Sequence, residues 1–114
     1  MEKENDQIYC SHILQAIKEI ESFVLGLSFE NFKKDAKTQR AVTRNLEIIG
    51  EAAKRLSQQS TSKHPNIPWR NVAGMRDFLI HDYMDVDAKE IWKAAIDDIP
   101  ELKKVISEIS KNEN

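Results

Sequence analysis

The chain has 114 residues, 40% hydrophobic and 32% charged, with a formal net charge of −2, which suits one globular core and excludes a disordered segment or a membrane protein. No apolar run approaches the ~20 residues that span a bilayer, the opening "MEKENDQ" is polar rather than a secretory leader, and one cysteine, Cys10, cannot build an internal disulfide framework. The expectation is a cytoplasmic protein of a single domain, residues 1–114, without membrane association.

The near-neutral total hides segregated charge. Residues 33–76 carry ten basic side chains (Lys33, Lys34, Lys37, Arg40, Arg44, Lys54, Arg55, Lys63, Arg70 and Arg76) against three acidic ones (Asp35, Glu47 and Glu51), while the remainder holds seven basic and sixteen acidic. Taken alone, such a distribution describes solvated helix faces. Phosphate binding, however, depends on a local patch rather than on net charge, so the basic segment keeps nucleic acid open as a ligand.

In chain order, Ile13, Ile17, Ile20 and Val24 step by four, three and four, predicting a first helix from about Asp6 to Leu25. Ser28 suits the cap of a short turn, "SFENFKKD". Val42, Leu46, Ile49, Ala53 and Leu56 repeat the stripe over a second long helix, about Asp35 to Ser57. In it Gly50 costs about 1 kcal/mol relative to alanine, either a local weakness or a place where another helix comes close. "SQQSTSKHPNIP" reads as a loop. Pro68 fits the first turn of a third helix through "WRNVAGMRDFLIHDY". Asp87 can cap a fourth, with Ile91, Ala95, Ile99, Leu102, Ile106 and Ile109 as its stripe, kinked or split near Asp97–Ile99 by Pro100. No segment has the two-residue period of a strand. The fold class expected is all-α, an antiparallel bundle of four main helices.

The third helix carries the chemistry. At 100° per residue Val72, Leu79 and Tyr83 fall within about 20° of one line, and Arg76 lies only about 40° from it. A charge beside an apolar stripe needs a partner or a cavity; Glu47 or Glu51 of the second helix is the expected partner. His81 follows five residues after Arg76, about 140° away on an uninterrupted helix. A neutral imidazole can take the proton from a ribose 2′-hydroxyl, and a guanidinium can neutralise the charge growing on phosphorus. That positive charge would also favour the neutral, basic form of His81. The chemistry is metal-independent RNA cleavage by internal transesterification, although arginine and histidine at this spacing also recur by chance.

Other chemistries lack support. Cys10, His12, His64 and His81 show no zinc spacing. Asp82, Asp85 and Asp87 read as a solvated acidic turn rather than a cation site. No glycine-rich phosphate loop or serine nucleophile motif is present, no cofactor is implied, and basic and aromatic residues do not interleave as they do in single-strand binding sites.

The blocks "AVTRNLEIIGEAAKRL" (41–56), "IPWRNVAGMRDFLIHDY" (67–83) and "IDDIPELKKVI" (96–106), in this order, make the chain resemble the HEPN superfamily and, more closely, the HepT toxins of HepT–MntA toxin–antitoxin systems. The resemblance implies a homodimeric, metal-independent endoribonuclease in which the R-x4-H motifs of two subunits face one cleft. It implies catalysis by Arg76 and His81 with support from Asp77. It also implies inactivation by AMP attached to Tyr83 by an MntA-type nucleotidyltransferase. The substrate would be RNA, mRNA or tRNA, with DNA not expected. A shared cleft also removes the angular difficulty, since Arg76 of one subunit need not serve His81 of the same subunit. The alternative is a non-catalytic HEPN partner that binds a nucleotidyltransferase; an intact Arg76, His81 and Tyr83 set argues for the enzyme.

Overall fold

The computed structural model describes residues 2–74 and 87–111, with side chains from residue 5 onward. Among the described residues there is no strand, and each apolar stripe becomes the buried face of a helix. Helix α1 (Glu2–Val24) starts a turn earlier than expected. Its Ile13, Ile17 and Ile20 are fully buried, and Val24 packs partly buried against the core. The helix ends at Gly26, whose φ of +78° lies in the left-handed region that glycine enters without a Cβ clash. There the Leu27 N–H donates to the Val24 carbonyl at 3.0 Å.

Ser28 caps α2 (Phe29–Lys33) as expected, its Oγ accepting from the Asn31 N–H at 3.2 Å. Asp35 caps α3 (Ala36–Lys54) with both oxygens: Oδ1 accepts from the Thr38 N–H at 3.0 Å and Oδ2 from the Thr38 hydroxyl at 2.6 Å. These bonds, the hydroxyl's first, hold the Asp35 carboxyl below its ordinary range. Val42, Leu46, Ile49, Ala53 and Leu56 are all buried, and Gly50 is buried with them.

The second helix is shorter than its apolar pattern suggests, stopping at Lys54 rather than near Ser57. The segment 57–68, expected as a loop, contains a helical turn, α4 (Gln58–Thr61), with Ser57 as its N-cap. The reason is tertiary. Asp6 of α1, 1% exposed, accepts from the Ser57 N–H at 2.8 Å, the Ser57 hydroxyl at 2.6 Å and the Ser60 hydroxyl at 2.6 Å. A carboxylate so buried requires such donors, and supplying them folds the turn.

Helix α5 is described over residues 69–74 and begins on Pro68, whose carbonyl accepts from the Val72 N–H at 3.0 Å. Asp87 caps α6 (Ala88–Lys93), as expected, accepting from the Lys89 N–H at 3.0 Å. A π turn, Ala94–Asp98, then leads without a break into α7 (Ile99–Lys111). This is the form taken by the interruption expected from Pro100. Proline lacks an N–H and crowds the carbonyl four residues earlier, and a wider turn just before it relieves both. The stripe continues through the π turn, with Ile91, Ala95, Ile99, Leu102, Ile106 and Ile109 all buried.

Helix α1 packs along α3 and α7, and α2 packs on α3 and α6, so the three stripes meet in one interior. Among the described residues, the long helices α1 and α3, α5 over 69–74 and the continuous α6–α7 make an all-helical bundle, the fold class expected from the sequence. Two polar links tie its ends: Gln7 Nε2 donates to the Ser110 carbonyl at 2.8 Å, and Lys103 Nζ meets Glu21 at 2.9 Å.

Candidate functional site

The four motif residues, Arg76, Asp77, His81 and Tyr83, lie in the span 75–86, outside the described residues. What is described are the two elements that deliver them. On the entering side, Trp69 Nε1 donates to the His64 carbonyl at 3.0 Å, and Ile67 and Val72 are buried. On the leaving side, the Asp87 cap starts α6, whose Ile91 is buried. Its Trp92 ring stands 5.1 Å from Phe32 and 6.2 Å from Phe29 between centroids. Apolar packing and a directional hydrogen bond therefore anchor the chain at both ends of the motif segment.

Between these anchors, α5, α6 and α7 line a cleft of about 510 Å³ with an apolar floor that includes Leu46, Val72, Ile91 and Leu102. Its rim carries Glu90, Asp97, Asp98 and Glu101. Of these carboxylates Asp98 faces Lys93, whose Nζ lies 3.9 Å away.

Helix α3 presents the opposite character. All nine described cations of the basic segment, Lys33 to Arg70, are exposed. Those of α3 and its C-cap, Lys37, Arg40, Arg44, Lys54 and Arg55, fall within about 100° of arc around the helix. The buried face with Val42, Leu46 and Ile49 lies on the other side. Glu47 and Glu51 share the charged face. Each carboxylate has an arginine of its own neighbourhood: Glu47 lies 3.8 Å from Arg44 and Glu51 3.2 Å from Arg55. The Arg76 end of the pairing expected for Glu47 or Glu51 lies outside the described residues. Glu51 first, and then Tyr9 of α1, raise the Arg55 guanidinium above its ordinary range, so Tyr9 belongs electrostatically to this face.

Basic and aromatic residues do not interleave along the sequence, but the fold brings them together across two helices. Tyr9 and His12 of α1, edge to face with centroids 6.2 Å apart and planes at 80°, border the arginines of α3. The sequence signal available was an aromatic pair spaced i, i+3 next to the buried stripe of α1.

Among the described residues, no three histidine, cysteine or acidic side chains converge. Cys10 is buried in the core, His64 faces Glu108 at 3.8 Å, and Asp87 serves as a cap. Asp82 and Asp85 lie outside the described residues. No helix among the described residues is long and apolar enough to cross a membrane.

Compared with known proteins, residues 13–109 match the sequence model of a family described as Ribonuclease HepT-like. The chain belongs to the HepT-like ribonuclease family. It is 47% identical over 105 residues to "Putative RNase TTE0752" of Caldanaerobacter subterraneus subsp. tengcongensis, covering 92% of this chain and 94% of that one. It is 46% identical over 109 residues to "Probable ribonuclease HepT" of Thermococcus cleftensis, covering 96% and 99%. It is 40% identical over 112 residues to "Putative RNase MJ0127" of Methanocaldococcus jannaschii, covering 98% and 93%. No solved structure matches. The family carries the enzyme class expected from the motif: this HepT-like protein is a ribonuclease.

Proposed function

We propose that this HepT-like protein is the toxin of a type VII-like toxin–antitoxin system, a cytoplasmic, metal-independent endoribonuclease acting on mRNA or tRNA. The observation that carries the reading is an intact "RDFLIHDY", Arg76 to Tyr83, inside the stretch that matches the family, residues 13–109. In this proposal residues 1–114 form one catalytic domain that works as a homodimer, with the Arg76–Tyr83 segments of two subunits sharing one cleft. Neutral His81 takes the 2′-hydroxyl proton as that oxygen attacks the adjacent phosphorus. The bond to the 5′-oxygen breaks, that oxygen is protonated, and a 2′,3′-cyclic phosphate remains. Arg76 stabilises the charge on the phosphoryl oxygens, and Asp77 supports the arrangement. An MntA-type nucleotidyltransferase antitoxin attaches AMP to Tyr83. A negative phosphodiester two residues from the base both fills the cleft and repels the RNA backbone.

The test is cleavage of RNA by the purified, unmodified protein in EDTA, with end-group analysis. The expected products carry 2′,3′-cyclic phosphate or 3′-phosphate. His81→Ala should lose about 10²–10⁴-fold in rate, and Arg76→Ala a comparable factor. Wild-type activity in His81→Ala removes His81 from the mechanism, and activity abolished by EDTA redirects attention to Asp82, Asp85 and Asp87. A second measurement addresses the antitoxin. Co-expression with a matching nucleotidyltransferase should add one or more AMP residue masses to Tyr83 and abolish cleavage, while Tyr83→Phe should escape modification. Peptide mapping that finds AMP on another residue ends that part of the reading.

A further inference from the structure

On the outer side of the α1–α3 interface lies a groove of about 350 Å³, lined by Tyr9 and His12 from α1 and by Arg44, Glu47, Glu51 and Arg55 from α3. Its volume is within the range of about 300–1,000 Å³ usual for small-ligand sites. Two kinds of group converge in it. One is a pair of rings in edge-to-face contact, with His12 exposed and Tyr9 half-buried behind it. The other is a pair of guanidinium groups. Arg55 is oriented by Glu51, which accepts from its Nε at 3.4 Å and from its Nη2 at 3.2 Å. Arg44, its side chain 72% exposed, is only loosely paired with Glu47 at 3.8 Å and keeps donors for another anion. Arg40 and Lys54, both exposed, extend the positive charge along the same face of α3. Tyr9 packs partly buried against the core, but the exposed His12, Arg44 and Arg55 are not called for by packing, because the apolar stripe of α3 lies on its opposite side. An exposed ring beside guanidinium groups is the combination that holds single-stranded nucleic acid, the ring taking a base face and the cations the backbone.

We propose that this groove is a nucleotide subsite for single-stranded RNA, in which a base stacks on His12, braced by Tyr9, and the adjoining phosphates lie against Arg44 and Arg55. The proposal rests on the ribonuclease reading and extends it. Among the described residues the groove's lining includes none of the motif residues, and the subsite is assigned to holding substrate rather than to bond cleavage. Glu47 and Glu51 act there as positioning residues that hold the arginines in line.

The experiment is steady-state cleavage of a pool of random-sequence 12-nucleotide RNAs by the full-length protein and its variants, with sedimentation analysis of each. His12 is exposed, so its substitution leaves the core intact. His12→Ala and Arg44→Ala should each raise KM by roughly 5- to 100-fold, with kcat unchanged. His12→Phe, which restores a stacking face without titratable nitrogen, should return KM to near the wild-type value. A purely structural role would not give that split or that rescue. Normal KM in both alanine variants, with active wild type, overturns the subsite and leaves the ribonuclease reading standing. Wild type that neither binds nor cuts the RNA pool overturns both. A variant whose sedimenting mass differs from wild type assigns this face to contact between copies of the chain and likewise overturns the subsite.

Discussion

The two faces of α3 are written in the same nineteen residues and obey different rules. One face, Val42, Leu46, Ile49 and Ala53, is buried against the other helices. Its residues are interchangeable only with others of similar volume, since interiors are packed at crystal-like density. The other face, Lys37, Arg40, Arg44 and Lys54, is exposed, and folding asks little of it: surface ion pairs contribute about 0–1 kcal/mol. A helix needs polar residues on its outer side, but it does not need four cations and two carboxylates beside an aromatic pair. Where folding leaves residue choice open, a consistent choice is information about what the protein touches. Stability and RNA binding should therefore separate between the faces, and substitutions that fail to separate them would break the comparison.

The largest effect belongs to the interior. Ile49→Ala removes a fully buried side chain and should cost about 2–5 kcal/mol of stability through lost transfer free energy and the cavity left behind. Urea unfolding measures it. Below the unfolding transition, KM for RNA should match wild type, because nothing on the outer face has changed. A cost under ~1 kcal/mol would mean that α3 is not seated against α1 as described.

The same contrast shows how much was legible in the sequence. The stripes of α1, α3 and α6–α7 and the caps Ser28 and Asp87 are readable because helical period and capping are local. Helix α4 is not, since its turn depends on Asp6 reaching Ser57 across 51 positions of sequence. Nor is the early end of α3, for Leu56 continues the apolar pattern although the helix has already stopped at Lys54. Pro100 announces a break but not its form, because a π turn and a kink relieve the same missing N–H. At the candidate site, Arg76, Asp77, His81 and Tyr83 stand out as chemistry within eight residues. That Tyr9 and His12 share a groove with Arg44 and Arg55 is invisible, because it depends on the rotational phase of two helices joined through α2.

A smaller effect belongs to the charged face. Arg40→Glu should weaken RNA binding several-fold and Arg44→Glu at least as much as Arg44→Ala, and each should reduce the slope of log affinity against log salt by roughly one. Their unfolding midpoints should stay near wild type. Lys104→Glu, exposed on α7, is the control for net charge and should have little effect. Fluorescence anisotropy of labelled RNA between 50 and 200 mM salt distinguishes a patch from a total, and equal losses at all three positions would show that only net charge is being read.

The smallest effect sits at the start of α3, where a charge does serve folding. Asp35 caps the helix through two bonds to Thr38, and these hold its carboxyl below the ordinary value of 3.8. A carboxyl whose folded-state pKa is depressed stabilises the fold fully above its unfolded value. The contribution is lost as pH falls through the lower folded value, because protons then bind the unfolded chain first and the folded chain last. Wild type and Asp35→Ala should therefore differ by a constant amount in urea from pH 7 to pH 5, and the difference should shrink as pH drops below about 4. Part of it should persist even at the acid end, since a protonated carboxyl still accepts from the Thr38 N–H. A difference that stays level down to pH 2.5 would mean that the cap works through hydrogen-bond geometry alone. A difference that vanishes between pH 7 and 5 would mean that some group other than this carboxylate is titrating.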